Sequence, residues 1–300
     1  MQNHKKLIVI VGPTAVGKTD VAIRMANFFR TEIISADARQ IFQEMNLGTA
    51  KPSLSELNKV HHHFVNSHSI QQSYDAATFG REALAVINEL FKVHDYVVMC
   101  GGSGLYVKAV CDGFDDIPEV PGEIRDELVR EFELTGIASL QQKLQALDPD
   151  YYQSIDSKNP QRLIRALEVV IGTGMSLSSF HHNNKLMHNF KIIKFGLELP
   201  RDVLYTRIDE RMDLMIEHGL FREAENLYPQ RALNALQTVG YQEIFGYLEG
   251  LYDRDETIRL LKRNSRRYSK RQLTWFKRDK DIMWLDPANI EKIMTIVSQS

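Results

Sequence analysis

The sequence predicts an α/β fold, a parallel sheet flanked by helices with an all-helical insertion, and three observations carry the prediction. Apolar runs of buried-strand type recur between helical stretches. The first of them passes straight into a glycine-rich loop and then a helix, and the segment from Gly113 to Lys185 shows helical patterns and hardly a strand. The 300 residues suit one large domain or a core with an insertion, and 43% hydrophobic with 25% charged residues is the balance of a globular chain. Disordered, collagenous and coiled-coil classes are excluded by that composition.

Leu7 to Val11 (LIVIV) is a continuous apolar run, as expected of a strand covered on both faces. GPTAVGKT follows, and then Val21, Met25, Ala26 and Phe29 recur at helical spacing. Glu32 to Ser35 (EIIS) predicts a second strand. A helix over Thr78 to Phe91 leads to a third, Asp95 to Met99 (DYVVM). This alternation implies right-handed crossovers between parallel strands. After CGGSGLY another helix is expected, capped in the Ser103 region. In the insertion, EIRDELVREFELTG, ASLQQKLQAL and NPQRLIRALEVVIGTG fit helices, the last with Asn159 as cap, Pro160 in its first turn and Gly172 and Gly174 at its end. Lys191 to Leu199 (KIIKFGLEL) resumes the sheet, three helical stretches follow, and Ile282 to Leu285 (IMWL) is the last strand. The expected division is residues 1–112 and 187–300 as the α/β core with C-terminal basic helices, and 113–186 as the helical insertion.

No apolar run approaches the roughly 18 residues of a membrane helix, and MQNHKKLIVIVGP passes from a short basic start directly into a strand, so neither membrane nor export is expected. Cys100 and Cys111 are too few for a disulfide framework and lack zinc-site spacing. The expected setting is a reducing cytoplasm, with no structural metal and a monomeric chain. The net charge of −2 hides a strong polarity. Asp112 to Asp156 holds twelve acids against Arg125, Arg130 and Lys143, whereas Arg259 to Lys280 holds ten Lys or Arg against Asp279 alone. Within that stretch Arg259, Arg263, Arg266 and Lys270 recur at helical spacing, while Leu261, Tyr268 and Trp275 repeat on another face. We read the apolar stripe as core and the basic face as a phosphate grip rather than a merely solvated surface.

Gly12-Pro13-Thr14-Ala15-Val16-Gly17-Lys18-Thr19 satisfies G-x-x-x-x-G-K-[ST] at every position, between a strand and a helix. That is the pattern of nucleotide-binding and ATP-binding P-loops, and it makes the core P-loop NTPase-like. Its glycines turn backbone N–H groups inward, the helix N-terminus adds partial positive charge, Lys18 adds a full charge, and the Thr19 hydroxyl can ligate Mg2+. Such a site holds a di- or triphosphate. A P-loop NTPase also needs a metal-holding carboxylate at the end of a neighbouring strand, yet Asp95–Met99 ends in Cys100-Gly101-Gly102-Ser103-Gly104. The available carboxylate is Asp37, in IISADARQIF, as metal ligand, general base or simple turn cap. His61-His62-His63 lacks helical i, i+4 spacing and no nearby carboxylate or cysteine pair completes it, so no metal is expected there or at His181-His182.

The ordered set GPTAVGKT, SADARQIF, LGTAKP (Leu47 to Pro52), YDAATF (Tyr74 to Phe79), GGSGLY (Gly101 to Tyr106), NPQRLIRALEV, VGYQEI (Val239 to Ile244) and KRQLTWFKR (Lys270 to Arg278) resembles the tRNA dimethylallyltransferase family nearly end to end. That family moves a dimethylallyl group from dimethylallyl diphosphate to the exocyclic amine of the adenine beside the anticodon, in tRNAs reading codons that start with U. Its P-loop holds a diphosphate leaving group, which accounts for the missing strand-end carboxylate. The resemblance implies Gly12, Thr14 to Thr19 and Arg211 on the diphosphate, Asp37 as general base, and Ser103, where threonine is usual, on the adenine or the diphosphate. It implies tRNA contacts at Asp37, Ala38, Arg39, Gln40, Ser103, Arg125, Gln161, Arg162, Arg165, Gln237, Gly240, Gln242, Lys270, Arg271, Gln272, Trp275 and Lys277. The usual D-S-x-Q-x-Y reads Asp37-Ala38-Arg39-Gln40-Ile41-Phe42, without two hydroxyls. No Cys/His cluster of the eukaryotic kind follows the last helix, which indicates a bacterial type. A P-loop nucleotide or small-molecule kinase using Asp37 as base, and a non-catalytic tRNA-binding protein, are the competing readings.

Overall fold

A computed structural model describes residues 4–115, 117–118, 120–180 and 186–300. Strand β1 (Lys6–Val11) is followed by helix α1 (Lys18–Phe29), β2 (Ile33–Ser35), the short α2 (Leu54–Leu57), a two-residue β3 (His62–His63), α3 (Ala76–Leu90), β4 (Tyr96–Gly101) and α4 (Gly104–Cys111). Beyond the insertion come β5 (Lys191–Leu197), then helices whose ranges are given below, and β6 (Ile282–Leu285). The six strands form one sheet in the order β3-β2-β4-β1-β5-β6, every pairing parallel.

Both faces of the sheet are covered, which is why its central strand is an unbroken apolar run. Leu7, Val9 and Val11 of β1 pack with Phe79, Ala83 and Ile87 on one side, and Ile8 and Ile10 pack with Val21, Met25, Leu204 and Ile208 on the other. All five of these β1 side chains are fully buried, each worth roughly 1.5–3 kcal/mol relative to exposure. Inserting a charge at Ile8 or Val9 would break the sheet at its centre.

The chain divides into two compact units, residues 1–113 with 187–300 and residues 114–186. The second consists of α5 (Gly122–Thr135), α6 (Ile137–Leu147), α7 (Pro149–Ser154) and α8 (Pro160–Thr173) around Leu128, Leu140, Leu144, Leu163 and Leu167. Asn159 caps α8 by accepting from the N–H groups of Gln161 and Arg162, Pro160 opens its first turn, and Gly174 closes it at φ 71°. Gly172 lies inside the last turn, where a Cβ would come 2.6 Å from Val120. Within the first unit, a further packing cluster joins α9 (Arg201–Glu217), α10 (Leu220–Leu227), α11 (Gln242–Leu248) and the 23-residue α12 (Arg254–Phe276) around Met212, Leu236, Tyr241 and Leu261. Four helices stand there against the three helical stretches the sequence predicts, because α10 and α11 are too short to show much periodicity. Helix α13 (Ile290–Gln299) closes the chain. No helix among the described residues is long and apolar enough to cross a membrane.

Candidate active site

The loop between β1 and α1 is shaped by positive φ at Gly12 (150°), Ala15 (66°) and Gly17 (103°). A Cβ at Gly12 would come 2.7 Å from the Leu197 carbonyl, so this turn admits no side chain there. Lys18 opens α1 and donates through Nζ to the Pro13 carbonyl at 2.8 Å. Arg211, reaching over from α9, donates to the Thr14 hydroxyl. Both cations are held with little anionic company: burial pushes the Lys18 ammonium down to about 8, helped by Arg211 and opposed by Cys100 and Asp37. Burial likewise lowers Arg211, with Asp37 acting against it. Two desolvated cations beside the glycine loop constitute an anion cradle.

Thr14, Ala15, Gly17, Lys18, Thr19, Asp37 and Arg211 line a single cavity of about 340 Å³, together with Arg39, Gln40, Gly240, Tyr268 and Gln272. Val16 is fully buried in the core beneath the loop, so only its backbone can serve a ligand. Asp37 follows β2 by two residues, and its Oδ1 accepts from the N–H groups of Arg39 (3.0 Å) and Gln40 (3.3 Å). The turn-cap reading and the functional reading therefore hold together: the cap fixes the carboxylate, and only Oδ1 is used in fixing it. Ser103 stands at the N-cap position of α4 but does not cap that helix through its side chain. Its hydroxyl accepts from the Ala38 N–H at 2.8 Å instead, bracing the Asp37 turn, and Ser103 is not among the cavity's lining residues.

Gln272, expected from the resemblance to touch tRNA, is buried at the cavity wall. Its Oε1 accepts from the Thr14 N–H at 2.8 Å and its Nε2 donates to the Gly102 carbonyl at 3.0 Å, tying the two glycine loops together. Trp275 packs into the core beside Gly104, where a Cβ would stand 2.1 Å from its Nε1. Gln40 donates to the carbonyls of Thr49 and Ala50 and so steadies the Leu47–Pro52 loop along the cavity. Glu223 holds the same loop by accepting from the N–H groups of Asn46, Leu47 and Gly48, and from the Tyr241 hydroxyl at 2.7 Å. Nothing in sequence spacing singles out Glu223, Cys100, Tyr268 or His62 for this site, yet all but Glu223 line the cavity. Tyr268 thus faces the cavity rather than the core, whereas Leu261 of the same stripe is buried in the core as expected. Burial raises the Cys100 thiol to about 12, which keeps it neutral.

On the opposite rim, Gly240 (φ 103°) donates to Glu243 Oε2, and Gln242 donates to Gln237 Oε1 at 2.7 Å. In the helical unit, Arg125 pairs with Glu168 at 2.7 Å and donates to Gln161, and Arg165 pairs with the other oxygen of Glu168. Two of the expected tRNA contacts, Arg125 and Arg165, thus share one buried carboxylate with Gln161 beside them, and the exposed Arg162 lies about one turn before Arg165 on the same helix.

The basic face of α12 is less uniform than its sequence. Arg266 pairs with Asp209, Lys262 with Asp213, Arg259 with Glu256 and Lys277 with Glu198. Arg267, Lys270 and Arg271 are exposed and make no ion pair among the described residues, although Arg271 lies over the Tyr268 ring. The histidine run also departs from expectation. Glu32, distant in sequence, brings its Oε2 to 2.6 Å from His63 Nε2, beside His61. His181-His182 lie outside the described residues.

The sequence model of a family described as IPP transferase matches residues 40–279. A protein of Cytophaga hutchinsonii named tRNA dimethylallyltransferase is 51% identical over 98% of this chain and 97% of its own length. Another so named, from Flavobacterium johnsoniae, is 49% identical over 94% and 93%. Among solved structures, the tRNA isopentenylpyrophosphate transferase of Bacillus halodurans superposes with a TM-score of 0.72 at 37% identity, over 98% of this chain and 96% of that one. A eukaryotic dimethylallyltransferase described as acting on tRNA gives 0.79 at 26% identity, over 94% and 74%.

Proposed function

The chain belongs to the IPP transferase family, and from that membership we propose that it transfers the dimethylallyl group of dimethylallyl diphosphate to the N6 amine of the adenosine 3′ to the anticodon, in tRNAs reading codons that start with U. It is a tRNA dimethylallyltransferase. The observation that carries the chemistry is the meeting, in one cavity, of a desolvated Lys18–Arg211 anion cradle and the fixed Asp37 carboxylate.

The C1–O bond of the donor breaks with its electron pair going to the diphosphate, and the adenine nitrogen supplies the pair for the new C1–N bond. Charge thus grows on the leaving oxygens, where Lys18, Arg211 and the loop amides would meet it. The nitrogen loses a proton as the bond forms, and Asp37 accepts it; a positioned carboxylate contributes typically about 10²–10⁴-fold. Ser103 acts as a positioning residue through the Ala38 N–H. The Thr19 hydroxyl lines the same cavity and is the oxygen donor this chain would offer to Mg2+. Bound there, Mg2+ would supply further charge neutralisation on the diphosphate.

The tRNA grip is assigned to Arg267, Lys270 and Arg271 on α12, and to the Arg125, Gln161, Arg162 and Arg165 cluster. A single-stranded anticodon loop offers bases that can be splayed into a cavity at low cost. The enzyme is assigned to the cytoplasm as a monomer. A kinase reading has no support among relatives that share half of the sequence over nearly all of its length. Purified protein, Mg2+, labelled dimethylallyl diphosphate and an anticodon stem-loop provide the test. Label appearing on the stem-loop adenine is the expected result; phosphate transfer from ATP with no prenyl transfer would overturn the assignment.

A further inference from the structure

Strand β3 is an edge strand of two residues, paired to β2 with Ile33 beside His62 and Ile34 beside His63. The Ile33 N–H donates to the His61 carbonyl at 3.0 Å, which extends the pairing by one position. Successive side chains of an extended chain alternate between faces. His62 accordingly lines the catalytic cavity, with its Nδ1 taken by the Val60 carbonyl at 2.8 Å, while His61 and His63 share the other face. Glu32, immediately before β2, joins them there. Its Oε2 lies 2.6 Å from His63 Nε2, and the His61 and His63 rings meet edge to face with centroids 4.4 Å apart. One ligand atom from each of Glu32, His61 and His63 lies within 4.8 Å of the other two.

We propose that Glu32, His61 and His63 form a binding site for a divalent transition metal of the zinc class. Two imidazoles and one carboxylate are a donor set that Zn2+ accepts at bond lengths of about 2.0–2.2 Å, with water in the fourth position. In a tetrahedral site such bonds place donors roughly 3.3 Å apart. Glu32 and His63, at 2.6 Å, stand closer than that, and all three donors lie within 4.8 Å of one another. A hydrogen-bonded Glu–His pair needs only two residues, and the second imidazole set against the same carboxylate is what the pair leaves unexplained. His61 is exposed and Glu32 and His63 half-buried, so an ion can enter from solvent. Once bound, the ion cross-links the shortest strand of the sheet to its neighbour and fixes His62, the wall of the cavity between its two ligands.

The test uses full-length protein without an affinity tag, stripped with chelator and titrated with Zn2+ by calorimetry in excess Mg2+. We expect one equivalent that excess Mg2+ does not displace, a thermal midpoint raised by a few degrees at saturation, and tetrahedral absorption bands with Co2+. His61→Ala should abolish that equivalent and the midpoint shift, Glu32→Gln should weaken binding at least tenfold, and a double His181→Ala, His182→Ala variant should retain it. Because His61 is exposed, its variant should fold normally by circular dichroism. Zn2+ binding of unchanged stoichiometry and affinity in His61→Ala and Glu32→Gln, or no midpoint shift with the wild-type protein, would reduce the cluster to an ion pair only.

Discussion

If Lys18 receives the donor's diphosphate, as proposed, raising the pH should loosen the donor, because this cation is held near its titration point. In the free protein, burial leaves the Lys18 ammonium at about 8. A bound diphosphate stabilises the charged form, so the same group titrates higher in the complex. The sign follows: binding is insensitive to Lys18 well below pH 8, where the lysine is already charged, and weakens as the pH rises through and above 8, where binding must first take up a proton. From pH 7, with about 90% of the lysine charged, to pH 9, with about 10%, affinity should fall roughly tenfold. The donor's last phosphate pKa, about 6, leaves it about 90% ionised at pH 7, and the further ionisation on raising the pH adds negative charge and so cannot produce the fall. Calorimetry at pH 9 in buffers of different ionisation enthalpy should show close to one proton taken up per donor bound. Lys18→Arg, whose charge persists beyond about pH 12, should bind with a flat profile. An affinity constant to pH 9 with no proton uptake would remove Lys18 from the diphosphate.

Asp37→Asn keeps an Oδ1 acceptor for the Arg39 and Gln40 amides and loses only basicity; single-turnover transfer should drop at least about 10²-fold with tRNA affinity within a few-fold. Near-normal transfer would refute the proton-acceptor role. Replacing Arg267, Lys270 and Arg271 with glutamine should weaken tRNA binding and reduce the slope of log K against log salt by roughly 0.7–0.9 per residue that meets a phosphate, leaving donor affinity unchanged; an unaltered slope would make them solvated charges. Gly101→Ala would place a Cβ 2.0 Å from the Ala36 carbonyl, backbone against backbone. We expect a loss of about 1–3 kcal/mol or more in denaturant unfolding, and transfer reduced with it because Ala36 precedes Asp37; full stability and activity would contradict this packing.

Where local chemistry dictates structure, the sequence can be read directly. A run such as LIVIV has one stable use in a chain of this composition, and Asn159-Pro160 with Gly174 marks both ends of a helix before any tertiary contact is considered. The glycine loop is equally legible, since its residues act through their own backbone. Long-range pairing is not. Glu32 and His63 are 31 positions apart and Thr14 and Gln272 are 258 apart; no periodicity encodes such meetings. The basic helix shows the same limit in charge: Arg266 and Lys262 read as free cations until α9 supplies Asp209 and Asp213. The two-residue β3 is too short to carry any alternation of its own.

The glutamine between the two glycine loops sets a width. Its amide carbonyl meets the loop between β1 and α1 and its amide nitrogen meets the turn that precedes α4, so the distance between those walls is gauged by one side chain of fixed reach. An asparagine would fall short by one carbon–carbon bond, about 1.5 Å, and a glutamate would offer an acceptor where the Gly102 carbonyl needs a donor. Because the gauge is mounted on α12, the helix that also presents Arg267, Lys270 and Arg271, a displacement of that helix along its axis as it settles on a nucleic-acid backbone would be felt at the Thr14 amide. On the proposed reading, acceptor and donor would share one mechanical reference point, the Gln272 side chain.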